Sequence, residues 1–134
     1  LRLRPWLYRR QKKLMSEGYL SKNFHEDEFR CHGTKDCCPT GMNPKLIELL
    51  EDMRSHFGGK AVKINSGYRS PSHNASVGGA KNSQHLKGTA ADVVISGVSP
   101  NDVYAWADKA NGNGGVGKYN SFTHIDVRNG KARW

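Results

Sequence analysis

Leu46, Leu49, Leu50, Met53 and Phe57 recur at steps of three and four residues between Asn43 and Gly59. This spacing makes a helix with a single apolar stripe, and such a helix is stable only when a second layer covers the stripe. Asn43 supplies the N-cap, Pro44 the first turn, and Gly58 with Gly59 the stop. The covering layer is expected to be a sheet. Residues 61–65 alternate apolar and polar, and residues 90–95 form a more buried, β-branched strand. Ser99 and Pro100 open a second helix that turns Val103, Trp106, Ala107 and Ala110 inward. Strands are expected at residues 116–119, 122–127 and 131–134, with Asn129-Gly130 joining the last two as a hairpin. The expected class is α+β, helices packed on a small antiparallel sheet.

With 134 residues the chain suffices for one domain. We divide it into a basic N-terminal arm, residues 1–18, and a domain over residues 19–134. Arg2, Arg4, Arg9, Arg10, Lys12 and Lys13 belong to the arm, which holds no acid before Glu17, and the whole chain carries a formal charge of +9. Such an arm suits anionic envelope polymers. It equally suits a solvated segment, or a helix docked through Leu3, Trp6, Leu7 and Leu14. No stacking motif or recognition helix accompanies it, so no specific nucleic acid partner is expected. No apolar run is long enough for a membrane span, and the N-terminus lacks the apolar core of a signal peptide. The start at Leu1 leaves open a processed precursor or a piece of something longer.

Cys31, Cys37 and Cys38 lie within eight residues, and an odd number cannot all pair within one chain. A disulfide from Cys31 to Cys37 or Cys38 is the favoured reading and fits an oxidising compartment. A structural zinc on Cys31, His32, Cys37 and Cys38 is the rival, with a spacing unlike paired C-x-x-C knuckles.

The stretch from Ser66 to Thr89 is long, polar and rich in Gly, Ser, Asn and His, as functional loops are. At its end His85 precedes Asp92 by seven residues, with Gly88 between them and Asp92 inside an apolar strand. A carboxylate in that setting needs a partner or a cation. In the later strand, alternation sends His124, Asp126 and Arg128 to one face. Two histidines and a carboxylate are a ligand set for catalytic zinc, which would make His85, Asp92 and His124 the metal site. The alternative is structural: hydrogen-bonded histidines, and Asp92 paired with Arg69 or Arg128.

Ser66-Gly67-Tyr68-Arg69-Ser70-Pro71, His73-Asn74, Val77-Gly78-Gly79-Ala80, Ser83-Gln84-His85 through Asp92, Gly115-Val116-Gly117 and His124-Ile125-Asp126-Val127 together resemble the zinc D-alanyl-D-alanine carboxypeptidase family. That family includes muropeptide endopeptidases and bacteriophage endolysins and shares the hedgehog/DD-peptidase fold. The resemblance leaves the basic arm uncovered. It implies a zinc metallopeptidase that cleaves peptidoglycan stem peptides or cross-links outside the cytoplasm, as a secreted, periplasmic or phage-delivered monomer. It also implies that Zn2+ sits on His85, Asp92 and His124, with Arg69 gripping a substrate carboxylate or carbonyl. Tyr68, Ser83, His73 and Asn74 would shape the pocket, or simply satisfy backbone groups.

Several relatives carry an acid three positions before the last histidine ligand, where this chain has Ser121. Asp126 is the expected substitute as general base. Its rival role is to hold a ligand ring or Arg128 in place. The alternative function is a catalytically silent, zinc-containing module that binds wall or protein, possibly within a phage particle.

Overall fold

The computed structural model describes residues 4–33 and 41–134. Four helices and five strands follow in the order α1 (Pro5–Ser16), α2 (Pro44–His56), β1 (Val62–Ser66), α3 (Pro71–Ser76), β2 (Ala90–Ile95), α4 (Pro100–Ala110), β3 (Gly115–Lys118), β4 (Thr123–Asp126) and β5 (Ala132–Arg133). Short 3-10 turns at Glu26–Phe29 and Gln84–Lys87 complete the described elements. The sheet order is β1-β2-β4-β3-β5, and the expected α+β class is what the chain adopts.

The helix that the apolar stripe requires is α2. Asn43 Oδ1 accepts the Lys45 amide at 2.9 Å, and Pro44 occupies the first turn. Leu46, Leu50 and Met53 are fully buried, and Leu49 and Phe57 pack at the margin. Beneath them Val93, Ile95, Val116 and Ile125 fill the sheet's inner face, and Val103 with Ala107 of α4 closes the same core. Ala110, expected inward, is exposed at the end of α4. Replacing Asn43 by alanine removes the α2 cap and is expected to cost about 1 kcal/mol, read as a lowered urea midpoint at unchanged m-value.

The C-terminal hairpin does not form as its turn signal predicts. β5 pairs with β3, in parallel, through Gly115↔Ala132 and Val116↔Arg133. Both edges of β4 are already taken, by β2 on one side and β3 on the other, so the chain after Asn129-Gly130 crosses to the next free edge. Arg133 fixes it there, donating from Nε to Asp108 at 2.6 Å and from Nη1 to the Gly114 carbonyl at 2.6 Å. The remaining pairings are antiparallel.

The arm expected at residues 1–18 contains α1, which buries none of its residues and leaves Trp6 55 % exposed. Cys31 is buried and disulfide-bonded. Cys37 and Cys38, its expected partners, lie outside the described residues, as does Leu3. Among the described residues no helix is long and apolar enough to cross a membrane.

Candidate metal centre

The seven-residue step from His85 to Asp92 is explained by a turn and a glycine. Ser83 Oγ accepts the His85 amide at 3.2 Å and starts the 3-10 turn, which Gly88 ends at φ +69°. A left-handed backbone there suits glycine, and it returns the chain to β2. Asp92 of β2 lies directly opposite His124 of β4 in the register, so the two side chains share a face at cross-strand distance. β1 has a register shift between Ile64 and Ser66, and Ser66 sits opposite Asp92. The chain therefore leaves the sheet beside the same carboxylate, carrying Gly67, Tyr68 and Arg69.

Three buried donors converge. His124 Nδ1 is 2.9 Å and His85 Nε2 3.3 Å from Asp92 Oδ1, and one ligand atom from each residue lies within 4.8 Å of the others. Tetrahedral zinc with bonds of about 2.0–2.1 Å holds its donors roughly 3.3 Å apart. The outward nitrogen of each ring is committed. His85 Nδ1–H donates to the Gly67 carbonyl at 2.6 Å, and His124 Nε2–H donates to Asp126 Oδ2 at 2.8 Å. With neutral rings the two inward nitrogens and the carboxylate are then three acceptors facing one another, an arrangement that needs a cation or a proton at its centre. The donor set and the committed outer nitrogens both fit a zinc ion.

Without a metal, protons and Arg69 supply that positive charge. Burial pushes the Asp92 carboxyl up, but hydrogen bonds from His124 and His85 outweigh it and hold its pKa at about 2. Burial lowers the His124 pKa, and Asp126 and Asp92 together raise it above its ordinary value. Arg69 Nη2 lies 3.6 Å from Asp92 Oδ2. Its hydrogen bonds to Ser66 Oγ and Asn74 Oδ1 are both 3.3 Å, at or just beyond the long end of the range, so the guanidinium keeps donor capacity for a ligand. Asn74 is buried and donates to the Ala80 carbonyl at 2.8 Å, which aims its oxygen at Arg69. A Cβ on Gly79 would overlap that oxygen, so glycine is required there.

Asp126 is fully buried and saturated. Arg128 grips it with Nε to Oδ1 at 2.8 Å and Nη2 to Oδ2 at 2.7 Å, and the Gly115 amide donates to Oδ1 at 3.1 Å. Burial raises its pKa, while His124 and Arg128 lower it by more. His124, Asp126 and Arg128 thus meet on one face, as strand alternation predicts.

A cleft of about 540 Å³ opens over these donors. Of the residues singled out in the sequence, Arg69, Ser83, His85, Asp92, His124 and Arg128 line it, whereas Tyr68, His73, Asn74 and Asp126 do not. Tyr68 packs against the core, and the His73 amide donates to Ser70 Oγ within the α3 cap. Asp126 sits behind the His124 ring. Tyr119, Phe122 and Trp134 line the cleft without having been singled out. No sequence signal marked them; Gly117 leaves room for the Trp134 indole, which a Cβ there would overlap.

Comparison with known proteins agrees with this geometry. A family model described as Peptidase M15 matches residues 22–126. The chain is 38% identical over 95 residues to the "Probable peptidoglycan L,D-endopeptidase MepK" of Haemophilus influenzae, a match covering 64% of this chain and 50% of that protein. It is 35% identical over 141 aligned positions to the "Zinc D-Ala-D-Ala carboxypeptidase" of Streptomyces albus G, covering 95% of this chain and 54% of that protein. The chain spans about half the length of these curated relatives. With the family model matching most of its length and the His-Asp-His cluster in place, the chain belongs to the M15 peptidase family.

Proposed function

We propose that this protein is a zinc-dependent peptidase that hydrolyses peptide bonds in bacterial peptidoglycan stem peptides or cross-links. The observation that carries the reading is the convergence of His85, Asp92 and His124 at the floor of an open cleft, with each outer imidazole nitrogen held by a protein acceptor. The names of the two relatives supply the substrate class. Zinc bound to these residues would polarise the scissile carbonyl and lower the pKa of its water to about 7.

In this reading His85, Asp92 and His124 are the ligands. Gly67 and Asp126 fix the ligand tautomers, and Arg128 in turn holds Asp126. Arg69 directs its unsatisfied donors at a substrate carboxylate or carbonyl and stabilises charge that develops on the carbonyl oxygen. Ser83 shapes the polar side of the cleft. Asp126 acts as a positioning residue, since both of its oxygens are engaged away from the cleft.

Action on peptidoglycan places the protein outside the cytoplasmic membrane, secreted, periplasmic or carried to the wall by a phage. The five basic residues of Arg4, Arg9, Arg10, Lys12 and Lys13 on and beside the exposed helix α1 favour retention on anionic envelope polymers. One observation favours a second reading, a zinc-containing binding module without turnover. Among the described residues lining the cleft, Asp92 is the lone carboxylate, which leaves no separate acid to shuttle protons.

The test is mass spectrometry of purified peptidoglycan fragments incubated with the protein, with chelator, and with zinc restored. Cleavage that chelator stops and zinc restores is the expected result, and the fragment masses name the bond. Stoichiometric zinc with intact fragments would replace the peptidase reading by the binding module.

A further inference from the structure

The cleft has two unlike walls. Arg69, Asn82, Ser83 and Gln84 give it a polar lining, and Tyr119, Phe122 and Trp134 an aromatic one. The aromatic wall is rigidly built yet left open to water. Trp134 Nε1–H donates to Tyr119 Oη at 3.0 Å, and Tyr119 stacks on Phe122 with centroids 4.4 Å apart and planes 11° from parallel. The indole centroid lies 5.0 Å from that of His124, and Gly117 has no side chain so that the indole fits. Even so, Trp134 and Tyr119 remain 44% and 42% exposed.

An indole whose one polar group is satisfied inside the protein offers its surroundings only carbon, and carbon surface beside a reaction centre is stabilised by being covered. A single methyl group covers little of it. An unbranched chain of several methylenes can lie along it, each methylene adding to the area removed from water. The Arg128 guanidinium stands 5.2 Å from the Trp134 ring, and among the described residues its Nη1 makes no hydrogen bond. Its charge is paired with Asp126, so it braces the plate without making it a binding site for a second ion.

We propose that Trp134, braced by Tyr119 and Phe122, is the specificity-determining residue of the cleft, selecting a substrate residue next to the scissile bond with a long unbranched aliphatic side chain. The inference rests on the reading of the cleft as a stem-peptide site, and it sets the direction of the peptide: carbonyl and carboxylate groups toward Arg69, aliphatic chain toward Trp134.

The experiment uses the zinc-loaded chain and synthetic stem peptides that differ at one residue, carrying alanine, 2-aminobutyrate or norleucine. Binding is measured by titration calorimetry and cleavage by mass spectrometry. Norleucine should bind at least roughly tenfold more tightly than alanine, with 2-aminobutyrate between them. Trp134→Ala should bring norleucine and alanine to within about twofold, whereas Trp134→Phe keeps most of the difference. Zinc content and melting midpoint are recorded for each variant; if Trp134→Ala loses zinc, Tyr119→Ala serves instead and should likewise narrow the preference. Equal binding of norleucine and alanine by the unaltered protein, or an unchanged preference in the variants, overturns the proposal. Preference without cleavage would sink the peptidase reading and leave the plate standing. Cleavage without preference would sink the plate alone.

Discussion

Asp92→Asn will strip the protein of its zinc and lower peptide hydrolysis by about four orders of magnitude, ~5 kcal/mol of barrier. Asp92 Oδ1 stands between the inward nitrogens of both histidines, 2.9 Å from one and 3.3 Å from the other. A neutral amide there gives up the one anionic ligand and leaves two imidazoles, too few to hold zinc against dialysis. The fold should survive, because an amide N–H can donate to the inward imidazole nitrogens that a metal would otherwise occupy. Zinc per chain after dialysis, hydrolysis rate and melting midpoint separate these effects. Stoichiometric zinc and undiminished turnover in the variant would rule out Asp92 as a ligand.

The parts of this site that could be read in the sequence are those set by local rules. The α2 stripe, its Asn43 cap and the Gly58-Gly59 stop depend on neighbours three and four residues apart, and the structure forms that helix where they place it. His85 and Asp92 were legible because a histidine before a glycine turn and an acid inside an apolar strand conflict with burial unless they serve each other. Strand alternation likewise put His124, Asp126 and Arg128 on one face, where they are hydrogen-bonded in sequence. What escaped was set by competition between distant segments. Asn129-Gly130 has the composition of a hairpin turn, but β2 and β3 occupy both edges of β4, so β5 joins β3 in parallel. That crossover is what brings Trp134 over Gly117 and into the cleft, and no spacing rule connects residues 117 and 134. The polar stretch between Ser66 and Thr89 was recognisable as a functional segment, but α3 within it was not. Six residues are too few for a helical period to show, and α3 is held by Ser70 at its N-cap and by Asn74, which reaches Ala80.

Asp126→Asn is expected to destabilise the protein by about 3 kcal/mol, since it removes one partner from a buried charge network and leaves Arg128 and His124 facing a neutral amide. Zinc affinity should fall roughly 10–100-fold, the usual consequence of losing the acceptor that orients a ligand imidazole. The informative measurement is turnover at saturating zinc. If Asp126 holds the His124 ring, excess zinc restores most of the hydrolysis rate and the pH–rate profile keeps its shape. If Asp126 is the general base, full occupancy leaves the rate low and the profile altered. Stability of the metal-free protein gives a second, independent check. Asp126 has a pKa below its unfolded value of 3.8, so its contribution is complete above that pH and is lost as pH falls through the folded value. His124 has a pKa above its unfolded value of 6.5, so its contribution is complete below that pH and is lost as pH rises through the folded value. The two windows overlap between about pH 4 and 6.5, and there the gap in melting midpoint between the chelated protein and its chelated Asp126→Asn variant should be widest. A gap independent of pH across this range would mean that the pairing of Asp126 with His124 is not what Asp126 contributes to the fold.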